Sequence, residues 1–181
     1  MKSILFRSVK KAHVIVMFVL AFGLFAPPVL MPSVGNAQDA RVAKSMAALK
    51  DQTTKLGAPK IDGKDAVGGR DAPALYFGST KMNNNFSVVD AVAEEGGRGT
   101  AATLFVKSGD DYIRVATNVS MRTGGRGLGT ILTGAPLESI KAGNAYYGKV
   151  SILGTPYVSG YEPIKDASGT TIGVYFVGYK K

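Results

Sequence analysis

Two stretches of the sequence decide the fold. Residues 102–119 read ATLFVKSGDDYIRVATNV, and residues 145–179 read AYYGKVSILGTPYVSGYEPIKDASGTTIGVYFVGY. Runs rich in Val, Ile, Tyr and Phe alternate there with the turn sequences SGDD, GT and DASG, which is typical of strands joined by short turns. Consecutive strands joined in this way lie antiparallel. The predicted strands cover residues 101–107, 112–119, 145–153, 156–164 and 170–179.

The part of the chain ahead of these strands favours helices. Residues 39–56 place Val42, Met46 and Leu49 on one helical face, and Gly57-Ala58-Pro59 ends the pattern. Ser87 is a candidate N-cap for a second helix. Helices gathered toward one end of the sequence and strands toward the other indicate an α+β fold. The remaining predictions are a loop over residues 60–71, a strand over 74–77, a helix over 87–95 and one helical turn over 136–141.

The order of these pieces resembles the Cache domain, a PAS-like extracytoplasmic sensor module. The similarity is greatest to the single Cache 3/Cache 2 fusion type found in chemoreceptors. The pieces that match are RVATNV, GRGLGT, YYG, YVSGYEPI and GTTIGVYFVGY, preceded by KMNNNFSVVDAVAEEGGRGTAATLF. The resemblance implies a five- or six-stranded antiparallel sheet with a long N-terminal helix packed on one face. One departure is Ala116, where relatives often carry a hydroxyl residue before the Thr, and it bears on ligand identity more than on fold.

The N-terminus has the three parts of a secretory signal peptide. Lys2, Arg7, Lys10 and Lys11 form a basic region, an apolar run covers residues 14–25, and small residues precede Gln38. The run is shorter than the ~20 residues that a membrane-spanning helix needs. We therefore expect cleavage after residue 37, a secreted and periplasmic protein, and a single sensor domain over residues 38–181. The alternative is an uncleaved N-terminal anchor in the inner membrane.

Composition excludes several classes of site. The chain has no Cys, and its one histidine, His13, lies in the predicted signal segment. Cys or His zinc centres, Cys nucleophiles and His-based triads are therefore excluded from residues 38–181, and we expect no cofactor. The net charge is +9, but Lys and Arg are scattered rather than clustered, which argues against a nucleic-acid partner.

Arg114 is the first candidate ligand-binding residue. Strict alternation along residues 112–119 places Tyr112, Arg114, Ala116 and Asn118 on one face of the strand. A guanidinium can hold a carboxylate through two parallel hydrogen bonds, which makes Arg114 a candidate for binding a small carboxylate. The alternatives are that Arg114 lies on a solvated face or pairs with an acidic residue.

Tyrosines and a second arginine complete the predicted site. Tyr157 and Tyr161 share one face of their strand, and Tyr147 belongs to the YYG pair. Tyrosine supplies an apolar wall and a hydroxyl, as small-ligand sites require, although each of these residues could equally be core or surface. The resemblance places Arg126 in the loop before a Gly-Thr strand, either at the rim of the pocket or tied to nearby carbonyls. It matches Asp90 to a Val-Asp pair whose expected role is a structural hydrogen bond.

These features predict a sensor domain that binds a small organic anion and is not an enzyme. Two rivals are a scaffold that acts only through protein contacts and a small hydrolase or lyase built on Asp110, Asp111 or Asp166. Those acids lie in turns, where Asp is expected for backbone reasons. The printed sequence ends two residues after Tyr179. Receptors of this type continue into a transmembrane helix, so we expect a separate membrane-bound signalling partner that contacts the N-terminal helix.

Overall fold

The computed structural model describes residues 37–181. The predicted signal segment and the alternative membrane anchor depend on residues 1–36, which lie outside the described residues. Within the described part, no helix has both the length and the apolar character that a membrane span requires.

The first helix, α1 (Ala37–Thr54), confirms the prediction for residues 39–56. Val42, Met46 and Leu49 are buried, as their spacing predicts. Thr53 is buried on the same face, and its hydroxyl donates to the carbonyl of Leu49 one turn earlier. The outward side of α1 is charged. The helix thus presents one narrow apolar stripe to the rest of the domain.

The loop predicted for residues 60–71 is wrong. This segment forms β1 (Pro59–Val67), which pairs antiparallel with β2 (Arg70–Phe77), and β2 pairs with the short β3 (Thr80–Lys81). Most side chains of β1 are exposed, so the strand lacks the apolar alternation on which the prediction relied. The missed signal was Gly68-Gly69, because both glycines have positive φ and make the two-residue turn that joins hairpin strands.

The second helix, α2 (Ser87–Gly96), confirms the prediction for residues 87–95, but Ser87 is not its N-cap. Phe86 holds the N-cap position without a side-chain cap. The Oδ1 atom of Asn85 accepts from both the backbone and the hydroxyl of Ser87. Val88, Val89 and Val92 are buried against the domain.

A five-stranded antiparallel sheet forms the centre of the domain, in the order β5-β4-β8-β7-β6. The predicted antiparallel sheet and the α+β, PAS-like fold class are confirmed. A third helix, α3 (Ala135–Lys141), lies between β5 and β6. The strands are β4 (Thr100–Ser108), β5 (Asp111–Thr117), β6 (Tyr146–Ile152), β7 (Thr155–Lys165) and β8 (Thr171–Lys180).

Each face of the large sheet carries its own hydrophobic core. One core contains α1, α2 and residues of β2, and the hydroxyls of Ser45 and Tyr179, 2.6 Å apart, tie α1 to β8 within it. The other core gathers Phe105, Tyr161 and Phe176 from the sheet and Leu132 and Ile140 from the segment between β5 and β6. We call these the α1 face and the α3 face. The candidate site lies on the α3 face.

A β-bulge in β5 breaks the strict alternation predicted for residues 112–119. Arg114 pairs with Phe105 and Ala116 pairs with Leu104, so Val115 is the extra residue. The prediction that Ala116 shares a face with Arg114 is therefore wrong, because Ala116 packs in the core on the α1 face. The bulge leaves the carbonyl of Val115 free to accept from the backbone of Asn84.

Candidate functional site: a buried arginine on the α3 face

Arg114 lies in the middle of β5, and its backbone is fixed on both sides. One edge of β5 pairs with β4. On the other edge, the Arg114 N–H donates to the carbonyl of Thr130, and the Arg114 carbonyl accepts from Gly129. The GRGLGT segment therefore extends the sheet locally and folds over the α3 face. Only 4% of Arg114 is exposed to solvent.

The guanidinium of Arg114 has few partners for so buried a cation. Its Nη1 atom donates to Thr130 Oγ1 at 2.6 Å, and its Cζ atom lies 5.0 Å from the centroid of the Phe105 ring. The buried Nε–H has no hydrogen-bond partner. Among the described residues, no carboxylate comes within ion-pair distance of Arg114. Arg114 therefore neither lies on a solvated face nor pairs with an acidic residue in the described part of the chain.

Burial lowers the pKa of Arg114 to about 10, and the nearby Tyr161 and Tyr157 oppose that change. The group is therefore still charged at neutral pH. A buried charge without a counter-ion costs free energy, and protein interiors normally offset that cost with a paired charge or a full set of hydrogen bonds. The site thus holds an uncompensated positive charge.

Tyr161 and Tyr157 lie on the same face as Arg114. Tyr161 pairs with Tyr146 in β6 and with Phe176 in β8, and the Tyr161 and Phe176 ring centroids are 4.9 Å apart. Burial raises the pKa of both hydroxyls, while the positive charge of Arg114 opposes the increase. Both phenols are therefore neutral at physiological pH and keep a proton that can be donated.

A small cavity of about 90 Å³ adjoins Arg114 and Tyr161. Arg114 is the one charged residue in its lining, and most of the other side chains are apolar. Arg114 is therefore the charged group that could fix the orientation of a ligand in this cavity. The remaining lining residues are Ile131, Leu132, Thr133, Pro136, Val150, Ser151, Ile152 and Leu153.

Tyr147 lies apart from this cavity. It pairs with Gly160, so its side chain is on the α1 face, whereas its neighbour Tyr146 is on the α3 face. The Tyr147 side chain is 51% exposed, and its hydroxyl donates to Glu162 Oε1. Lys50 of α1 donates to the other oxygen of Glu162 at 2.7 Å. Tyr147 thus belongs to a polar contact between α1 and the sheet.

Arg126 also makes its contacts away from the Arg114 cavity. Its guanidinium binds both carboxylate oxygens of Asp90, and Nη1 also donates to the carbonyl of Thr117 at 2.7 Å. Arg126 is not among the residues that line the Arg114 cavity. Asp90 makes structural hydrogen bonds, the role that the family resemblance implies for it.

Thr130 is the site residue that the sequence interpretation missed. Its hydroxyl accepts from Arg114 Nη1 and donates to the carbonyl of Gly127 at 2.7 Å. The hydroxyl thus links the guanidinium to the loop that covers it. Thr130 stands at the end of GRGLGT, which is the feature of the sequence that could have pointed to it. The spacing of residues in that segment does not indicate that it pairs with the edge of β5.

Asp166 and Asp110, two of the acids of the enzyme alternative, have different surroundings. Asp166 Oδ1 accepts from the backbones of Ser168 and Thr170, which is a turn-stabilising arrangement. Asp110 lines an open hollow together with Lys107 and Lys141. Across residues 37–181, no cluster of acidic side chains has the geometry to hold a metal ion.

Comparison with known proteins agrees with the geometry. No curated protein sequence matches the chain. The family described as the Cache 3/Cache 2 fusion domain matches residues 31–181, which is most of the sequence and includes every strand of the large sheet. The chain therefore belongs to the Cache 3/Cache 2 fusion domain family.

Proposed function

We propose that this domain binds a small carboxylate in the cavity beside Arg114 and reports its occupancy to a separate membrane-bound partner. Cache domains are extracytoplasmic sensor domains that bind small molecules. The observation that carries the finer proposal is the state of Arg114, which is almost fully buried and has no acidic partner among the described residues. A carboxylate ligand would supply the missing negative charge.

The hydrogen-bonding groups at the cavity match the oxygens of a carboxylate. Arg114 lines the cavity, and a guanidinium can hold two carboxylate oxygens in parallel through its planar fork of N–H groups. Tyr161 lines the same cavity, and its hydroxyl is protonated at neutral pH. Tyr147 and Arg126 are left out of the proposed contacts because both bind carboxylates of the protein itself.

The small size of the cavity, about 90 Å³, favours a ligand with few heavy atoms over a large one. The lining offers one positive charge and otherwise mostly apolar side chains. We therefore propose a short monocarboxylate such as acetate or propionate, in preference to a dicarboxylate or an amino acid.

Calorimetry with a matched set of probes tests the ligand. Formate, acetate and propionate should bind, and propionamide, which has nearly the shape of propionate without its charge, should not. Removing the partner of a buried charge typically costs ~2 kcal/mol or more, so Arg114→Met should weaken propionate binding by at least tenfold. Lys64→Gln, which replaces an exposed cation of β1 that does not line the cavity, is the control and should bind propionate normally. Equal binding of the amide, or full affinity in Arg114→Met, would contradict the proposal.

The path from the cavity to a partner runs through β7. Tyr161 faces the cavity, and the adjacent Glu162 faces α1 and accepts from Lys50. A ligand that shifts Tyr161 would therefore shift an anchor of α1. The outward flank of that helix is mostly basic, with Lys44, Lys50, Asp51 and Lys55 all exposed. We propose that the membrane partner contacts this flank through an acidic surface.

Crosslinking in whole cells tests the partner surface. A photoreactive residue at Lys44 should capture a membrane protein, and a ligand coupling of ~1–3 kcal/mol should change the yield when propionate is added. The same residue placed at Ser168, in the turn before β8, is the control and should capture nothing specific. Crosslinks confined to Ser168 and indifferent to propionate would exclude α1 as the contact.

Export is part of the same proposal. It rests on the basic region, the short apolar run and the small residues that precede Gln38. The intact mass of protein recovered from the periplasm should correspond to a chain that begins at Gln38. A full-length species recovered from the membrane fraction would support the anchor instead.

A further inference from the structure

The turn between β6 and β7 contains a residue that the turn geometry does not favour. Leu153 and Gly154 are the two loop residues of this hairpin, and their φ angles are +48° and +83°. Turns with positive φ at both positions favour Asn, Asp or Gly, because a larger side chain is strained there. Asn84, a residue that tolerates this conformation, is the other non-glycine with positive φ in residues 37–181. Leu153 therefore occupies a strained position for which the turn itself gives no reason.

The side chain of Leu153 lies between two spaces. On one side it lines the 90 Å³ cavity beside Arg114. On the other side it lines an open hollow of about 390 Å³. Leu153 is 38% exposed, one of the few large apolar side chains in the described part that reach solvent to this extent. It thus forms part of the wall between the buried cation and the hollow.

The contacts of Gly127 place this wall next to the guanidinium. A Cβ atom at Gly127 would lie 2.8 Å from Leu153 Cδ1 and 3.1 Å from Arg114 Nη1. Leu153 and Arg114 therefore pack against the same point of the covering loop, and the absence of a side chain there makes room for both. Leu153 is partly exposed, and exposed side chains change rotamer rapidly.

The outer hollow has the charge that an approaching anion requires. The charged residues in its lining are Arg122 and Lys180, and both are exposed cations. A concave surface lined by one sign of charge raises the local concentration of small ions of the opposite sign. The remaining lining consists of Ser120, Met121, Leu153, Gly154 and Thr155.

We propose that Leu153 is the gate of the Arg114 cavity and that the hollow lined by Arg122 and Lys180 is the access route for an anionic ligand. The ligand part of this proposal rests on the proposed function, whereas the gate itself does not. Rotation of the Leu153 side chain opens the wall between the hollow and Arg114, and its return covers the guanidinium again. The strain at Leu153 then has a reason, since a large apolar group is needed at the one turn position that reaches both spaces.

The first experiment measures the gate without any ligand. Solvent exchange of the buried Arg114 Nε–H, followed by ¹⁵N NMR, reports how often water reaches the cavity. Leu153→Ala and Leu153→Asn should both speed this exchange by about tenfold or more, because each removes part of the wall. Met121→Ala is the matched control, since Met121 lines the hollow but not the cavity, and its exchange should stay at the wild-type rate.

The Asn variant separates gating from stability. Asn is favoured in the left-handed conformation, so Leu153→Asn should raise the melting temperature while it speeds the exchange. If the variant instead loosened the whole domain, faster exchange would come with a lower melting temperature. Exchange at the wild-type rate in both Leu153 variants would overturn the gate.

The second experiment measures access by the ligand, with propionate as the probe and NMR line shapes as the readout. Leu153→Ala should raise the association and dissociation rates of propionate together by about tenfold, with Kd changed less than about threefold. The double variant Arg122→Gln, Lys180→Gln should lower the association rate alone, and more so at low salt. An unchanged association rate in this double variant would overturn the access route. If propionate fails to bind the wild type, the proposed function fails, and the exchange experiment alone decides the gate.

Discussion

Arg126 and Asp90 form a two-pronged ion pair that joins the covering loop to α2. Arg126 Nη1 lies 2.7 Å from Asp90 Oδ1, and Nη2 lies 2.9 Å from Oδ2. The Arg126 Cζ atom is 4.2 Å from the centroid of the Phe86 ring, just ahead of α2. The loop that places Thr130 against Arg114 is thus held from outside the cavity.

Removing this pair should destabilise the fold modestly. Both side chains are partly exposed, so solvent screening limits the stability that the ion pair contributes. Its two parallel hydrogen bonds nevertheless make it stronger than an ordinary surface ion pair. Asp90→Asn and Arg126→Gln should each lower the free energy of unfolding by about 0.5–1 kcal/mol. In urea denaturation, the double variant should be only slightly less stable than either single variant. Lys55→Gln, which breaks the more exposed pair with Asp51, is the control and should have a smaller effect.

Replacing Arg114 should stabilise the empty protein while it weakens ligand binding. The guanidinium is a buried charge without a counter-ion, and Met fills a similar volume without that cost. Arg114→Met should therefore raise the free energy of unfolding by about 1 kcal/mol or more in the absence of ligand. Thermal unfolding in buffer free of carboxylates measures the change. A destabilised Arg114→Met variant would mean that the bond to Thr130 outweighs the cost of burial.

Tyr161 should make the domain less stable at alkaline pH. Burial raises the pKa of this hydroxyl above its usual value of about 10, against the opposing charge of Arg114. The pKa of Tyr161 is higher in the folded protein than in the unfolded chain. At a pH between these two values, the unfolded chain has released the proton and the folded protein has kept it. The contribution of Tyr161 is thus fully present below about pH 10 and is lost as pH rises further. Tyr161→Phe should lose less stability than the wild type between about pH 9 and pH 11.

Absorbance at the tyrosinate band provides an independent check. At about pH 11, folded wild type and folded Tyr161→Phe should give the same absorbance, because Tyr161 still holds its proton. In concentrated urea, the wild type should exceed the variant by one tyrosinate. A difference already present between the folded proteins would show that Tyr161 ionises normally.

The sequence predicts the fold better than it predicts the site, for a physical reason. Strands with apolar side chains on one or both faces, such as β4 and β8, have a strong local pattern because burial imposes it. The exposed strand β1 has no such pattern, and the bulge at Val115 arises from pairing between strands rather than from local composition. Residues at the site are brought together by those same long-range contacts.

The two tyrosines of the YYG pair show this difference most clearly. Tyr146 and Tyr147 are adjacent, so they must point to opposite faces of β6, and one of them must lie away from any cavity on the α3 face. Which one does so depends on the register with β7, where Tyr146 pairs with Tyr161. A single sequence does not contain that register. Arg114 was accessible to sequence reasoning because a lone arginine in an apolar strand is unusual whatever its partners.

Glu162 should anchor α1 in a pH-dependent way. Partial burial opposes its ionisation, but hydrogen bonds from Lys50 and Tyr147 outweigh that effect and hold the pKa of Glu162 below its usual range. A carboxylate with a lowered folded-state pKa contributes stability above its unfolded pKa of about 4.3, and that contribution is lost as pH falls below it. Glu162→Gln should therefore lower the free energy of unfolding by roughly 0.5–1 kcal/mol at neutral pH, discounted for partial exposure.

The difference between wild type and Glu162→Gln, present at pH 7, should shrink as the pH is lowered toward 3, because Glu162 gains a proton as pH falls below its unfolded pKa of about 4.3. Urea denaturation followed by tyrosine fluorescence at the two pH values measures it, since the chain has no Trp to mask that signal. Glu138→Gln is the control, because Glu138 is exposed on α3 and forms no ion pair with any described residue. Its unfolding free energy should follow the wild type at both pH values. A Glu162→Gln variant that does the same would show that the Lys50–Glu162–Tyr147 contact does not hold α1 to the sheet, and the route proposed from Tyr161 to the helix would lose its physical link.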